Sequence, residues 1–341
     1  MKKTSVLIIG FPSSIAAQTA RALCDAGVHV NLLVSKQDAH HGRALRGIDK
    51  AKLTLLTGNA EHIDFGLAGD AYMALAQTTR AVLSLMPQAF ERDRPSAGVL
   101  MRAGQELAEF ARTATPPLHV LHLSGIDIRG TGTGLFSERD VCMGQSPPTA
   151  LSRERLRVER ALFQLRDHFA TTIVRVGVLV GDGPGLFPFI PLALAEPAFF
   201  ARLDTRHLHF TPLETLVAFL VHGCQHPVDT GGRALHLLAP DDATLSQRSE
   251  FLAREAQRCF PKGIAPDAWA RKYCEALGFT ARAFWQHNGS NAPVSSAWTD
   301  IFCREHGFAL AERITVDWAQ HVSQIAVKLR AAPPHPKGRQ T

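Results

Sequence analysis

Short aliphatic runs alternate with longer amphipathic stretches over the first half of the chain. The runs are rich in aliphatic residues and do not alternate strictly with polar ones, which is typical of parallel strands buried on both faces. We predict strands at Val6–Ile9, His29–Val34, Leu53–Thr57, Ala81–Met86, Leu118–Ser124 and Thr172–Gly177. Because crossovers between parallel strands are right-handed, this order predicts an α/β fold with a Rossmann-type, doubly wound parallel sheet.

Composition limits the class of protein. The 341 residues, 45% hydrophobic and 20% charged, match an ordinary globular protein. No apolar run approaches the roughly 18–20 residues that span a bilayer, and Gly10 ends the first run before it could form a secretion signal. Six scattered cysteines show no disulfide spacing, which predicts free thiols and a cytoplasmic protein. Arginines and acids are interleaved, so we expect no nucleic-acid or membrane partner.

The turn after the first strand carries a partial dinucleotide-binding pattern. It reads Gly10-Phe11-Pro12-Ser13-Ser14-Ile15-Ala16. In such turns, small residues let the backbone approach a pyrophosphate at a helix N-terminus. Only the first glycine is kept here, while Ser13 adds a side chain and Pro12 removes an N–H. The pattern predicts a weakened cofactor site, and a strand-to-helix turn without any ligand is the alternative that the sequence leaves open.

The pattern changes after Gly181, where a Gly- and Pro-rich segment leads into a Phe-rich one. We predict a Rossmann-like nucleotide-binding domain at 1–180 and a small, mostly helical substrate lobe at 181–331 with elements returning to the core. Residues 332–341 are predicted to be a disordered tail. Phe187 is a candidate substrate-binding residue. The neighbouring phenylalanines Phe189, Phe199 and Phe200 either line the same apolar pocket or form inter-lobe core.

Three further stretches carry motifs in a fixed order, at 58–75, 118–124 and 174–181. Together with the first turn they resemble the extended short-chain dehydrogenase/reductase (NAD-dependent epimerase/dehydratase) superfamily, and specifically its thioester-reductase-like branch. The resemblance covers roughly residues 4–240. It implies reduction of carrier- or coenzyme-bound acyl thioesters with NADPH.

The resemblance also places a cofactor site. Ser35-Lys36 stands where an acid would hold a ribose 2′-hydroxyl, so NADP(H) is expected over NAD(H), with weakened binding. Asn59 stands where the family has an aspartate beside the adenine. The candidate cofactor-binding residues are Gly10, Ser13, Ser14, Ile15, Ser35, Lys36, Asn59 and Ser84.

The family's catalytic pair is changed in this chain. A tyrosine and a lysine four residues later should share one helix face, but Leu151 and Arg155 occupy those positions. The assisting Ser or Thr falls on Gly125, next to Ser124. Leucine transfers no proton, and arginine keeps its proton at neutral pH. Ordinary Tyr–Lys hydride chemistry is therefore the least favoured enzymatic interpretation.

Other side chains at the carboxyl ends of the strands could take over acid–base chemistry. We select Ser124, Asp127 and Arg155 as catalytic candidates and Leu151 as an apolar wall of the substrate pocket. The stretch 153–160, with four arginines and two glutamates, is typical of a solvated or anion-facing helix. The histidine pairs His207/His209 and His222/His226 lack a carboxylate at ligand spacing, so no metal is expected.

These observations lead to three functional hypotheses. The first is a biosynthetic enzyme that acts on a small-molecule or carrier-protein-bound acyl or polyketide-type substrate without the Tyr–Lys step. The second is an NADP-dependent reductase with a displaced proton donor. The third is a non-catalytic nucleotide- or metabolite-binding regulatory protein, because fold alone cannot separate these functions. A homodimer is among the expected assembly states.

Overall fold

A computed structural model describes most of the chain, and every statement below concerns the residues that it describes. These are 5–36, 44–85, 98–115, 118–129, 135–138, 147, 149–165, 167–181, 189–203, 208–226, 232–239, 243–278, 280–288, 294–310 and 316–331. The candidate residue Phe187 and the predicted tail at 332–341 lie outside these ranges.

A seven-stranded parallel sheet forms the centre of the molecule, in the order β3-β2-β1-β4-β5-β6-β9. Its strands are β1 (Ser5–Ile9), β2 (His29–Val34), β3 (Leu53–Thr57), β4 (Thr79–Ser84), β5 (His119–Gly125), β6 (Ala170–Val176) and β9 (Arg233–Leu237). A separate parallel pair consists of β7 (Val178–Val180) and β8 (Phe210–Pro212). The chain order reverses between β1 and β4, which confirms the doubly wound α/β fold.

Helices alternate with the strands and then accumulate toward the C-terminus. The first four are α1 (Ser14–Asp25), α2 (Gly69–Thr78), α3 (Val99–Thr113) and α4 (Ala150–Gln164). The later ones are α5 (Phe189–Ala195), α6 (Pro197–Ala201), α7 (Leu213–Gln225), α8 (Leu245–Cys259), α9 (Pro266–Leu277), α10 (Ala281–Asn288), α11 (Ala297–Glu305) and α12 (Trp318–Ala331). Two 3-10 turns, 63–66 and 126–129, follow β3 and β5.

A different set of helices packs against each face of the sheet. Leu121 and Leu123 of β5 pack in the cluster of α1 and α7, whereas Val120 packs in the cluster of α2, α3 and α4. Because successive strand residues point to opposite faces, His119 is directed toward the α1 and α7 face and His122 toward the α3 and α4 face.

The C-terminal helices α5, α6, α8, α9, α10 and α12 enclose an aromatic core of their own. The Phe189 ring lies 5.6 Å from that of Phe200, 4.9 Å from Phe210, 6.0 Å from Phe284 and 5.6 Å from Trp318, between ring centres. Phe189 and Phe200 are therefore core residues of this lobe. The structure supports the core alternative for both, instead of a pocket lining near Leu151.

Three later elements return to the sheet, namely α7, β9 and α11. Helix α11 covers the outer edge of β9, where the Thr299 hydroxyl accepts the backbone N–H of His236 at 2.8 Å. The guanidinium of Arg233 lies over the rings of Trp298 and Phe302, 5.8 Å and 5.2 Å from their centres. This edge of the sheet is thus occupied by side chains of the chain itself.

Within the described ranges, every helix is too short or too polar to cross a lipid bilayer.

Candidate functional site

The β1–α1 turn combines a glycine of positive φ with a serine side chain that caps the following helix. Gly10 has a φ of 111°, a conformation that favours glycine. Ser13 is the N-cap of α1, and its hydroxyl accepts the N–H of Ala16 at 3.1 Å. That N–H is one of the helix N-terminal donors that a phosphate would use. The Ile15 side chain is buried in the core, so only its backbone can face a ligand, and Ser14 is half-buried beside it.

The ends of β2 and β3 form the neighbouring part of the cleft. Ser35 is half-buried and Lys36 exposed directly after β2. After β3, the N–H of Asn59 donates to the carbonyl of Phe65 at 2.7 Å, and its side-chain oxygen accepts the N–H of Glu61 at 3.0 Å. The side chain of Asn59 is therefore engaged in shaping its own turn.

An ion pair lies at the carboxyl end of β5, where α4 packs on the sheet. The Arg155 Nη1 atom donates to Asp127 Oδ1 at 3.0 Å and to Oδ2 at 3.1 Å. Both side chains are buried, 7% exposed for Arg155 and 6% for Asp127. Because an ionised carboxylate can only accept, the 2.5 Å contact has the Ser152 hydroxyl donating to Asp127. The Thr149 hydroxyl, 2.6 Å from that of Ser152, is consequently the donor at the start of this chain.

Gly125 lies against this ion pair. A Cβ atom at Gly125 would overlap Asp127 Oδ1 and come within 3.0 Å of Arg155 Nη1. The space that a serine or threonine side chain would need is thus filled by the carboxylate and the guanidinium. Leu151, one turn before Arg155, is half-buried and packs at the margin of the α2, α3 and α4 cluster.

Helix α4 makes a second buried ion pair, which sequence reasoning missed. Glu159 Oε2 accepts from Arg175 Nη2 of β6 at 2.8 Å, with the two side chains 2% and 1% exposed. The Arg175 guanidinium also lies 5.2 Å from the ring centre of Phe136. The interpretation of 153–160 as a solvated helix is wrong for Arg155 and Glu159, because they belong to the stripe of α4 that faces the sheet.

Two buried histidines flank the site. On β5, His122 Nδ1 lies 3.0 Å from the hydroxyl of Ser84 on β4. The cofactor candidate Ser84 is therefore bonded to a residue of the neighbouring strand. Burial, and then the charge of Arg155, lower the pKa of His122 from 6.5 to about 3. Burial lowers the pKa of His119 to about 4, and its ring bonds the Thr172 hydroxyl at 2.8 Å. Ser124 is fully buried, and its hydroxyl has no hydrogen-bond partner among the described residues.

Metal ligands do not cluster in the part of the chain that the structure describes: no three His, Cys, Asp or Glu side chains are placed to share an ion. The rings of His222 and His226 lie 4.5 Å apart, and His207 is outside the described ranges.

No protein-family model and no curated protein matches the sequence. Solved structures match it over almost its full length. The terminal R domain from the myxalamid PKS-NRPS biosynthetic pathway is 15% identical, with a TM-score of 0.67, over 97% of this chain and 92% of that one. The reductase domain of a nonribosomal peptide synthetase from Mycobacterium tuberculosis is also 15% identical, with a TM-score of 0.66, over 96% and 92%.

The UDP-glucuronic acid 4-epimerase from Bacillus cereus, solved with UDP-glucuronic acid and NAD, is 15% identical with a TM-score of 0.64, over 96% of this chain and 100% of that one. The chain has the extended short-chain dehydrogenase/reductase fold. This confirms the fold that the sequence motifs predict.

Within this extended short-chain dehydrogenase/reductase fold, the candidate residues form two groups. One group lies at the ends of β1, β2 and β3 and consists of the cofactor candidates other than Ser84. The other lies at the ends of β4 and β5 and on α4, and consists of Ser84, Ser124, Asp127, Leu151 and Arg155. Sequence reasoning did not select Thr149 and Ser152, although a hydroxyl residue directly before a helix, such as Thr149, is an N-cap signal.

Proposed function

We propose that this chain is a short-chain dehydrogenase/reductase-like biosynthetic enzyme that acts on an acyl or polyketide-type substrate, free or carrier-bound, without Tyr–Lys redox chemistry. One observation carries the proposal. At the three positions where the family's proton relay would stand, the chain has Gly125, Leu151 and Arg155, and Arg155 is held in a buried ion pair with Asp127. The cleft is kept while the relay is replaced.

The buried pair limits what each residue can do. Arg155 already donates to both oxygens of Asp127, so its role is to hold α4 and the carboxylate in place instead of reaching into the cleft as an anion anchor. Leu151 supplies apolar surface at the first turn of α4, which suits an acyl chain. A substrate carbonyl at the ends of β4 and β5 would therefore meet apolar surface and a neutralised charge pair.

A nicotinamide cofactor fits the β1–α1 turn only in part. Gly10 and the N-terminus of α1 suit a pyrophosphate, and Ser35 with Lys36 suits the 2′-phosphate of NADP, whereas Ser13 already takes the N–H of Ala16. When bound, NADPH supplies a hydride. In this proposal the nucleotide binds weakly and its hydride is not used in the family's usual way.

A second candidate function is that of an NADP-dependent reductase with a displaced proton donor. The hydroxyl chain from Thr149 through Ser152 to Asp127 favours it, because Thr149 is half-buried at the same end of α4 as Leu151. The third hypothesis, a regulatory protein that binds without catalysis, becomes an outcome of the test.

The test combines binding and turnover. Calorimetric titration with NADP(H), NAD(H) and an acyl-pantetheine thioester is followed by an assay for NADPH oxidation with acyl thioesters and simple aldehydes. We expect thioester binding, weak NADP(H) binding and no NADPH consumption. Consumption at about 1–10³ per second would support the reductase instead. Nucleotide binding without any thioester binding would support the regulatory protein.

A restored relay makes the test sharper. Because Asp127 fills the space of a serine at Gly125, the combination Gly125→Ser, Leu151→Tyr and Arg155→Lys also needs Asp127→Ala. We expect slow NADPH oxidation from this combination and none from the matched combination with Leu151→Phe, which lacks only the phenol hydroxyl. Oxidation by both would show that the proton comes from elsewhere.

A further inference from the structure

A small cavity lies beside Arg155, between helices α3 and α4 and the ends of β4 and β5. Its polar wall consists of Ser84, His122 and Arg155, and its apolar wall includes Leu100 and Val158. The cavity volume of about 10 Å³ is room for a single water molecule. Its size excludes an organic ligand.

The ring of His122 leaves one nitrogen without a protein partner. Nδ1 is bonded to the Ser84 hydroxyl, whereas Nε2 is fully buried and has no hydrogen-bond partner among the described residues. An unpaired polar atom in the interior loses its solvation without compensation and destabilises the fold. Buried polar atoms in native proteins are therefore paired with protein groups or with ordered water.

We propose that this cavity binds one ordered water molecule, hydrogen-bonded to His122 Nε2 and to the Arg155 guanidinium. Empty protein cavities are apolar, while hydrated ones offer two to four polar partners, and this cavity offers three. A guanidinium only donates, so the water oxygen accepts from Arg155. A neutral imidazole has one donor and one acceptor nitrogen, and water can pair with Nε2 in either tautomer.

The water completes a polar path across three elements. From Ser84 on β4 the path runs to His122 on β5, through the water to Arg155 on α4, and on to Asp127 after β5. Nothing in this path requires the proposed substrate or a nucleotide. The inference therefore stands or fails independently of the proposed function.

The direct test is a crystal structure of the wild-type chain at a resolution that shows ordered water. We expect a density peak at about 2.7–3.2 Å from His122 Nε2 and at a similar distance from an Arg155 nitrogen. A flat map in the cavity, in a crystal that shows other buried waters, would overturn the proposal.

A stability comparison tests the same point in solution. The double variant Ser84→Ala/His122→Phe removes both partners of one hydrogen bond together and also the nitrogen that faces the water. If the water is present, its bonds are lost and Tm falls by about 2–4 °C. If the cavity is dry, an unpaired nitrogen is replaced by carbon and Tm stays the same or rises, which contradicts the proposal.

The matched control is Ser124→Ala. The Ser124 hydroxyl is as deeply buried and as unpaired as His122 Nε2, and it lies on the same strand, but it does not line the cavity. We expect its removal to leave Tm unchanged or slightly higher. The contrast between the two variants separates a bound water from a general intolerance of β5 to substitution.

Discussion

Helices α1 and α4 begin with the same kind of N-cap but bury different kinds of side chain. Each begins with a hydroxyl N-cap, Ser13 and Thr149, that accepts the N–H of the third helical residue. The buried face of α1 consists mainly of Ala, Ile and Leu side chains. The buried face of α4 includes Ser152, Arg155 and Glu159.

The difference shows that a helix of this fold can bury either apolar or paired charged side chains. Small apolar residues let α1 lie close to the strands, as a nucleotide-binding helix must. On α4, Arg155 is paired with Asp127 and Glu159 with Arg175, so the charged residues that the helix buries are neutralised. Apolar packing thus holds α1 on the sheet, whereas α4 also uses two buried ion pairs.

The largest effect is expected from breaking the inner ion pair of α4. Glu159→Ala removes the carboxylate that neutralises the buried Arg175 guanidinium, which costs about 3–5 kcal/mol in the free energy of unfolding. The double variant Glu159→Leu/Arg175→Met recovers most of that loss. Urea unfolding provides the measurement, and Asp267→Ala, which breaks the exposed pair with Arg271, is the control, expected to cost about 1 kcal/mol or less. Equal costs for the two single variants would remove the distinction between α4 and a surface helix.

The next effect concerns pH and extends the comparison to the two faces of β5. In the folded chain, burial lowers the pKa of His119 from 6.5 to about 4 and that of His122 to about 3. Below pH 6.5 the unfolded chain binds more protons at these histidines than the folded chain does, so the free energy of unfolding falls as the pH drops. For His119 the total loss is on the order of 3 kcal/mol once the side chain is protonated in both states. His119→Phe and His122→Phe should each flatten the profile.

The measurement for this prediction is urea unfolding at pH values from 7 down to about 4. His168→Gln, a substitution of an exposed histidine, provides the surface control. A wild-type profile that is flat below pH 6.5 would contradict burial of neutral imidazoles on both faces.

A smaller effect is expected at Gly125, where α4 and β5 leave no room for a side chain. Gly125→Ala places a Cβ against Asp127 and Arg155 and should cost about 1–3 kcal/mol. Gly69→Ala, at the start of α2 with no atom near the new Cβ, should be neutral or slightly stabilising. Thermal unfolding of both variants is the measurement. If Gly125→Ala were as stable as wild type, the Asp127 carboxylate would have an alternative position.

The smallest effect concerns the N-cap of α1. Ser13→Ala should cost about 1 kcal/mol, and Ser13→Gly only a few tenths. Ser13→Gly also frees the N–H of Ala16, so we expect tighter NADP(H) binding in calorimetry than for wild type. The same substitution at Thr149 should leave nucleotide binding unchanged. Weaker binding by Ser13→Gly would mean that the serine hydroxyl itself holds the phosphate.

Much of the fold could be predicted because its signal is local. The strands are rich in aliphatic side chains, and β2 and β3 begin and end at the predicted residues. β6 begins at Ala170, two residues before the predicted start, because pairing with His119 of β5 extends it. Strand pairing depends on the neighbouring strand, so the polarity of the added residues does not predict that they extend β6.

The candidate site was predicted less completely because its interactions are distant in sequence. Asp127 and Arg155 were both selected, but their pairing across 28 residues was not visible. Arg175 and Glu159 were missed, because a charged residue in a strand or a helix is expected at the surface until its partner is known. The spacing of 152, 155, 156 and 159 is a helical stripe, and this was the available signal.

The side chains over β9 also govern how copies of this chain could polymerise. Among the described residues, the sheet ends at β9 on one side, where Thr299 already accepts the N–H of His236, and at β3 on the other, where Leu55 is 49% exposed. Growth of a fibre by strand addition needs two open sheet edges per molecule, because each molecule must pair with two neighbours. With β9 covered, strand addition is restricted to the β3 edge, so this mode of association can join at most two copies.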